Sequence, residues 1–162
     1  MVARELSAIV GKPLTNMWRY AGRQVFAFGP EIEAVMEDGE PATITDCGLT
    51  VLSDWVIRGP ARFHLESGDF GPENDRRDQH AKFFYDLVGS DPISVVSVTV
   101  SRHGALQFCF TRGYSLEVSP VADLEDWEEQ WRFQPSSQDP RGQLILEPRR
   151  LRWNGESLAE GV

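Results

Sequence analysis

ISVVSVTVSRHGALQFCFTRGYSLEV, residues 93–118, decides the fold. In its first segment Val96, Val98 and Val100 fall on one face of a strand. His103-Gly104 marks a tight hairpin turn. ALQFCFT then returns with Leu106, Phe108 and Phe110 inward and Gln107 and Thr111 outward. Arg112-Gly113 turns the chain again, and YSLEV brings Tyr114, Leu116 and Val118 inward. Successive side chains of a strand point to opposite faces, so strict alternation over this length predicts a half-buried sheet. The short turns make it an antiparallel meander of three strands.

Upstream, residues 3–10 read as a short N-terminal helix, with Leu6, Ile9 and Val10 at helical spacing and Gly11 and Pro13 ending it. Trp18 and Tyr20 share one side of a strand, Gly22 marks a bend or bulge, and Val25 to Phe28 continue as a mostly buried strand. Residues 37–41 form a turn. ATIT and LTVLSDWVIRG are strand-like, with Val51, Ser53, Trp55 and Ile57 on one face, and ARFHLES adds a short strand. HAKFFYDLV predicts the principal helix, about 79–88, lined by Ala81, Phe84, Leu87 and Val88, capped by Asp78 and stopped by Gly89. EQWRFQ is a fourth strand with Trp131 and Phe133 on one face, and QLILEP with RRLRW gives a last strand or hairpin.

The expected fold is α+β, mainly antiparallel, in a single domain spanning residues 1–162, with a frayed polar tail at about 154–162. Large inward side chains (Phe108, Phe110, Trp131, Phe133) and short turns predict a strongly curved sheet or a partly open barrel.

The chain carries 16 basic and 25 acidic side chains, for a net charge of −9. A basic footprint is the first requirement for holding a phosphate backbone, so nucleic acid is not an expected partner. Arg141, Arg149, Arg150 and Arg152, beside Trp153, are read as partners of the chain's own carboxylates. No segment has the apolar run of a membrane span, and MVARELSAIVGK lacks that of a signal peptide. Cys47 and Cys109 stand outside any CxxC motif and are expected as buried or half-buried free thiols. A reducing cytoplasm is the expected compartment.

Two stretches carry candidate chemistry. HLESGDFGPENDRRDQH, residues 64–80, has a histidine at each end and five carboxylates between them. His64 and Glu66, two apart on a strand, point the same way, and Asp69 and His80 could complete a metal site. The spacing matches no HExxH or calcium-loop pattern. Arg76 and Arg77 offset its charge and Asp78 caps a helix, so the competing reading is a solvated polar loop. The second stretch places Asp123, Glu125, Asp126, Glu128 and Glu129 around Trp127. Acids beside an aromatic suit a basic protein partner, because aromatic anchors dominate interface energy. The competing reading is a solvated turn before a core Trp131.

LQFCFTRGYSLEVSPVADLEDWEEQWRF, with FAFG and LTVLSDWVI upstream, resembles a loose group of small bacterial proteins of unknown function, some of them similar to immunity proteins of polymorphic toxin systems. The resemblance spans residues 10–134, rests on strand and turn residues, and leaves the 64–80 insertion without a counterpart. It implies a fold and no catalytic residue.

The leading functional expectation is a non-enzymatic protein-binding module without a cofactor, immunity-like toward a basic effector, contacting it through Asp123, Glu125, Asp126, Trp127 and Glu128. A metal-dependent hydrolase using His64, Glu66, Asp69 and His80 is one alternative. A small-molecule site in the mouth of a curved sheet is another. An exposed meander edge could also pair two copies into a homodimer.

Overall fold

The computed structural model describes residues 2–35, 38–70, 88–89, 91–121, 129–136, 142–147 and 150–153, with backbone alone at 2–3, 20, 70, 147 and 150–153. Helix α1 (Val2–Leu6) runs into a 3-10 turn (Ser7–Ile9). Eleven strands follow among the described residues: β1 (Leu14–Tyr20), β2 (Arg23–Val35), β3 (Pro41–Val51), β4 (Asp54–Arg58), β5 (His64–Glu66), β6 (Val95–Val100), β7 (Leu106–Phe110), β8 (Ser115–Ser119), β9 (Trp131–Gln134), β10 (Leu144–Glu147) and β11 (Arg150–Trp153). Every strand pair is antiparallel. The fold is α+β.

The single curled sheet expected from the sequence is replaced by two open sheets. One has six strands in the order β1-β2-β3-β9-β10-β11; the other has five, β5-β4-β8-β7-β6. The cause lies at Leu52-Ser53. There the chain leaves β3 and starts β4 in the second sheet, and both backbone N–H groups donate to Gln130 O, at 3.0 and 3.2 Å. The face expected for Val51, Ser53, Trp55 and Ile57 survives that break, since all four are buried. EQWRFQ forms a strand as expected, but β9 pairs with β3 rather than extending the meander.

One apolar cluster joins the two sheets. Phe28 of β2 stacks on Phe108 and Phe110 of β7, with ring centroids 6.1 and 6.4 Å apart, and Phe26 meets Trp55 edge-on at 5.2 Å. Such pairs add about 0.5–1.5 kcal/mol beyond the area they bury. Leu6 and Ile9 of the N-terminal turns are fully buried, as their spacing predicts, whereas Val10 is exposed. One corner is closed by backbone bonds: Gly11 N–H donates to Val95 O, Val95 N–H to Lys12 O and Leu14 N–H to Ile93 O, at 2.8, 3.0 and 2.8 Å.

Local chemistry sets the turns. Ala21 and Gly22 both have positive φ (46° and 77°), so the bend expected at Gly22 is a two-residue hairpin between paired Tyr20 and Arg23. The bulge sits instead beyond Phe28, where the β2–β3 register shifts. Another bulge, after Val95, corrects the face expected for β6: Val95 is buried and Val96 is 56% exposed, while Val98 and Val100 pack on the core. The β6–β7 turn is longer than two residues, since Ser101 N–H donates to Ala105 O at 2.9 Å, and Ser101 Oγ accepts from His103 and Ala105 N–H. Of the helix expected at 79–88, only Val88 lies within the described residues; it and Gly89 are helical. The tail at 154–162 lies outside them.

Candidate functional site

The outer face of the six-stranded sheet, opposite the core, holds a groove of about 320 Å³. Its geometry follows from register. Trp18 pairs with Val25, Val25 with Thr50, and Thr50 with Arg132, so four side chains from β1, β2, β3 and β9 form one row across the sheet. Strands lie about 4.8 Å apart, which sets Trp18 and Arg132 roughly 14 Å from each other. The next row runs Ala27–Gly48–Gln134. Its two small residues leave a low floor, and Trp18, Thr50, Arg132, Gln134 and Gln143 stand around it. Trp18 is 41% exposed, a large apolar side chain open to solvent.

A polar chain fixes one wall. Arg132 Nε donates to Glu129 Oε2 at 3.0 Å, and its Nη2 reaches the same oxygen. Arg132 Nη1 donates to Gln143 Oε1 at 3.3 Å, and Gln143 Nε2 donates to Gln134 Oε1 at 3.4 Å. Gln134 Nε2 donates to Ser136 O at 3.5 Å. Ser136 Oγ donates to Asp46 Oδ1 at 3.1 Å, and Lys12 Nζ donates to Asp46 Oδ2 at 2.6 Å. The network thus starts and ends in ion pairs, Arg132–Glu129 and Lys12–Asp46. Hydrogen bonding from Lys12 holds the Asp46 carboxyl below its ordinary range, against the opposing effect of burial, and the Ser136 hydroxyl adds to the lowering. Both pairs are internally neutral, so this wall offers directed hydrogen bonds and no net charge. Cys47, next to Asp46, is fully buried, and desolvation pushes its thiol up to about 12. A thiol at that value is not a nucleophile at neutral pH.

The sequence-predicted sites fall elsewhere. His64 and Glu66 lie on one side of β5, with His64 Nε2 3.3 Å from Glu66 Oε2 and both side chains about half exposed. Asp69 turns back along the chain, and its Oδ2 accepts from Glu66 N–H at 2.8 Å. Among the described residues no group of three or more His, Cys, Asp or Glu side chains is arranged to hold a metal ion. His80 lies outside the described residues, as do Asp123, Glu125, Asp126, Trp127 and Glu128. Glu129, the last acid of that run, is described, and it is half of the Arg132 pair. Cys109 is an exposed free thiol, not a buried one, because its strand alternates it away from Phe108 and Phe110. Among the described residues no helix is long and apolar enough to cross a membrane.

Compared with known proteins, the chain matches no family model, no curated protein and no solved structure.

Proposed function

We propose that the chain is a non-catalytic module that binds a basic protein partner, with the outer face of the six-stranded sheet as its contact surface. The observation that carries this reading is the row Trp18–Val25–Thr50–Arg132: an exposed tryptophan and an arginine held in place, bracketing a groove. Tryptophan and arginine are the residues most enriched at binding hot spots. The polar chain behind Arg132 holds it in one geometry, which lowers the entropy lost on binding. Charge supplies the partner's class. A net charge of −9 favours the approach of a basic surface, and the sequence runs four acids, Asp123, Glu125, Asp126 and Glu128, into Glu129. An immunity-like role, in which the bound partner is a basic effector held inactive, fits the same reading.

The test is selection of binders from a displayed library of basic peptides, followed by side-chain NMR of the labelled protein. Selected peptides are expected to shift the Trp18 indole and Arg132 guanidinium signals, to lose affinity with Trp18→Ala, and to weaken as salt rises. Binders indifferent to Trp18→Ala and to salt would overturn the proposal, as would a library that yields none.

A further inference from the structure

We infer that the free edge of β6 is a self-association seam, pairing antiparallel with β6 of a second copy of this chain. The inference is independent of the groove. Among the described residues β6 ends the five-stranded sheet, with β7 as its one neighbour there. Residues 11–14 cover its start through the bonds to Ile93 and Val95, which among the described residues leaves Val96–Val100 open over about 16 Å. Antiparallel pairing fixes which groups face outward. Ser101 bonds inward to Ala105, so Thr99 and Ser97, two and four residues back, also turn their backbones to β7. Val98 and Val100 therefore present N–H and C=O groups to the open side.

Folded proteins blunt such edges with charge, proline or short length. The other three edge strands among the described residues follow that rule: β1 carries Arg19, β5 is three residues long with His64 and Glu66, and β11 carries Arg150 and Arg152. Residues 93–101, ISVVSVTVS, contain no charge and no proline. An uncharged strand is also self-complementary. With the two-fold axis at Val98, Ser97 faces Thr99 of the partner subunit, and no like charges meet. Val96, 56% exposed, would lose solvent contact at the seam. The product is a ten-stranded sheet shared by two copies, a closed two-fold association.

Salt separates this seam from the proposed contact with a basic partner. Two chains of charge −9 repel each other, so screening strengthens the self-pair, whereas it weakens binding to a basic partner. Sedimentation equilibrium across micromolar concentrations, at low and high salt, is the experiment. The expected result is a monomer–dimer equilibrium that shifts toward dimer as salt rises. Ser97→Lys combined with Thr99→Lys opposes lysines across the seam and should weaken the dimer roughly tenfold or more. Ser97→Thr with Thr99→Ser should leave it unchanged. Amide exchange gives a second reading that needs no variant: Val98 and Val100 amides should gain protection as concentration rises. A wild-type chain that stays monomeric throughout would overturn the inference. So would a dimer that keeps its affinity in the lysine variant or shows no added protection at Val98 and Val100.

Discussion

Gly104 is the position where one added methyl group should do most damage. Its φ is +80°, and a Cβ built there would lie 2.1 Å from Leu146 Cδ2. Its carbonyl accepts the buried Trp131 indole N–H at 2.8 Å, so the β6–β7 turn of one sheet is tied to β9 and β10 of the other. Gly104→Ala therefore has two costs. A side chain in the left-handed region costs about 1–2 kcal/mol. Overpacking against Leu146 costs about 1–3 kcal/mol. The two can be measured apart. Gly113, at φ +78° with no atom within 4 Å of its Cβ position, isolates the backbone cost. Gly59, outside the positive-φ region but with its Cβ position 2.3 Å from Tyr114 Cε1, isolates a steric cost. If the costs add, Gly104→Ala loses about 2–5 kcal/mol, or roughly 4–20 °C in Tm for a domain of this size. Thermal and urea melts of the three alanine variants are the assay. A Gly104→Ala variant no less stable than Gly113→Ala would refute the reasoning, because it would show that the turn does not press on Leu146.

Trp131→Phe keeps most of the apolar volume but leaves the Gly104 carbonyl without its indole donor; urea melts should show a loss of about 1–3 kcal/mol. Trp18→Ala should cost about 2–3 kcal/mol in urea melts, because a side chain that is 41% exposed still buries more than half of its area; its peptide binding is therefore compared at a temperature where the melt shows the variant folded, so that a loss reports contact. Acid titration of stability should report the Lys12–Asp46 pair. The folded carboxyl releases its proton more readily than the unfolded one, so the pair's contribution is complete above the ordinary aspartate pKa and is lost as pH falls through the depressed folded value. Lys12→Met should flatten that acid limb by under about 1 kcal/mol, since both partners are a quarter exposed. A thiol reagent should modify Cys109 quickly in the native protein and Cys47 only on unfolding. Two fast thiols would contradict the burial of Cys47.

The meander was legible because its information is local. From Leu106 to Val118 alternation and turn residues agree, and Leu106, Phe108, Phe110, Leu116 and Val118 are all buried. The β6 face was misread at Val96 for an equally local reason: a bulge changes the parity of every residue before it, and a run of valines carries no mark of where it falls. The two-sheet arrangement was not legible. It depends on β9 pairing with β3, some 80 residues away in the chain, and no periodicity encodes a partner strand. Nothing in the sequence marks Trp18 as a site residue, for the same reason. Alternation assigns it a face but cannot say whether another layer covers that face.

The groove also shows why charge counting and contact chemistry point to different residues. Net charge acts over a Debye length, about 8–10 Å at ordinary salt, and governs approach. The described wall of the groove has already spent its charges internally: Glu129 on Arg132 and Asp46 on Lys12. A partner steered by the acidic surface would meet, at the wall itself, neutral amide and hydroxyl groups beside one exposed indole. Mutating Glu129 should then act less by removing attraction than by releasing Arg132 from its fixed position. Glu129→Gln keeps an acceptor for Arg132 and should largely preserve binding, whereas Glu129→Ala frees the guanidinium and should weaken it. Equal losses from the two variants would mean that the carboxylate's charge, not its hold on Arg132, is what the partner reads.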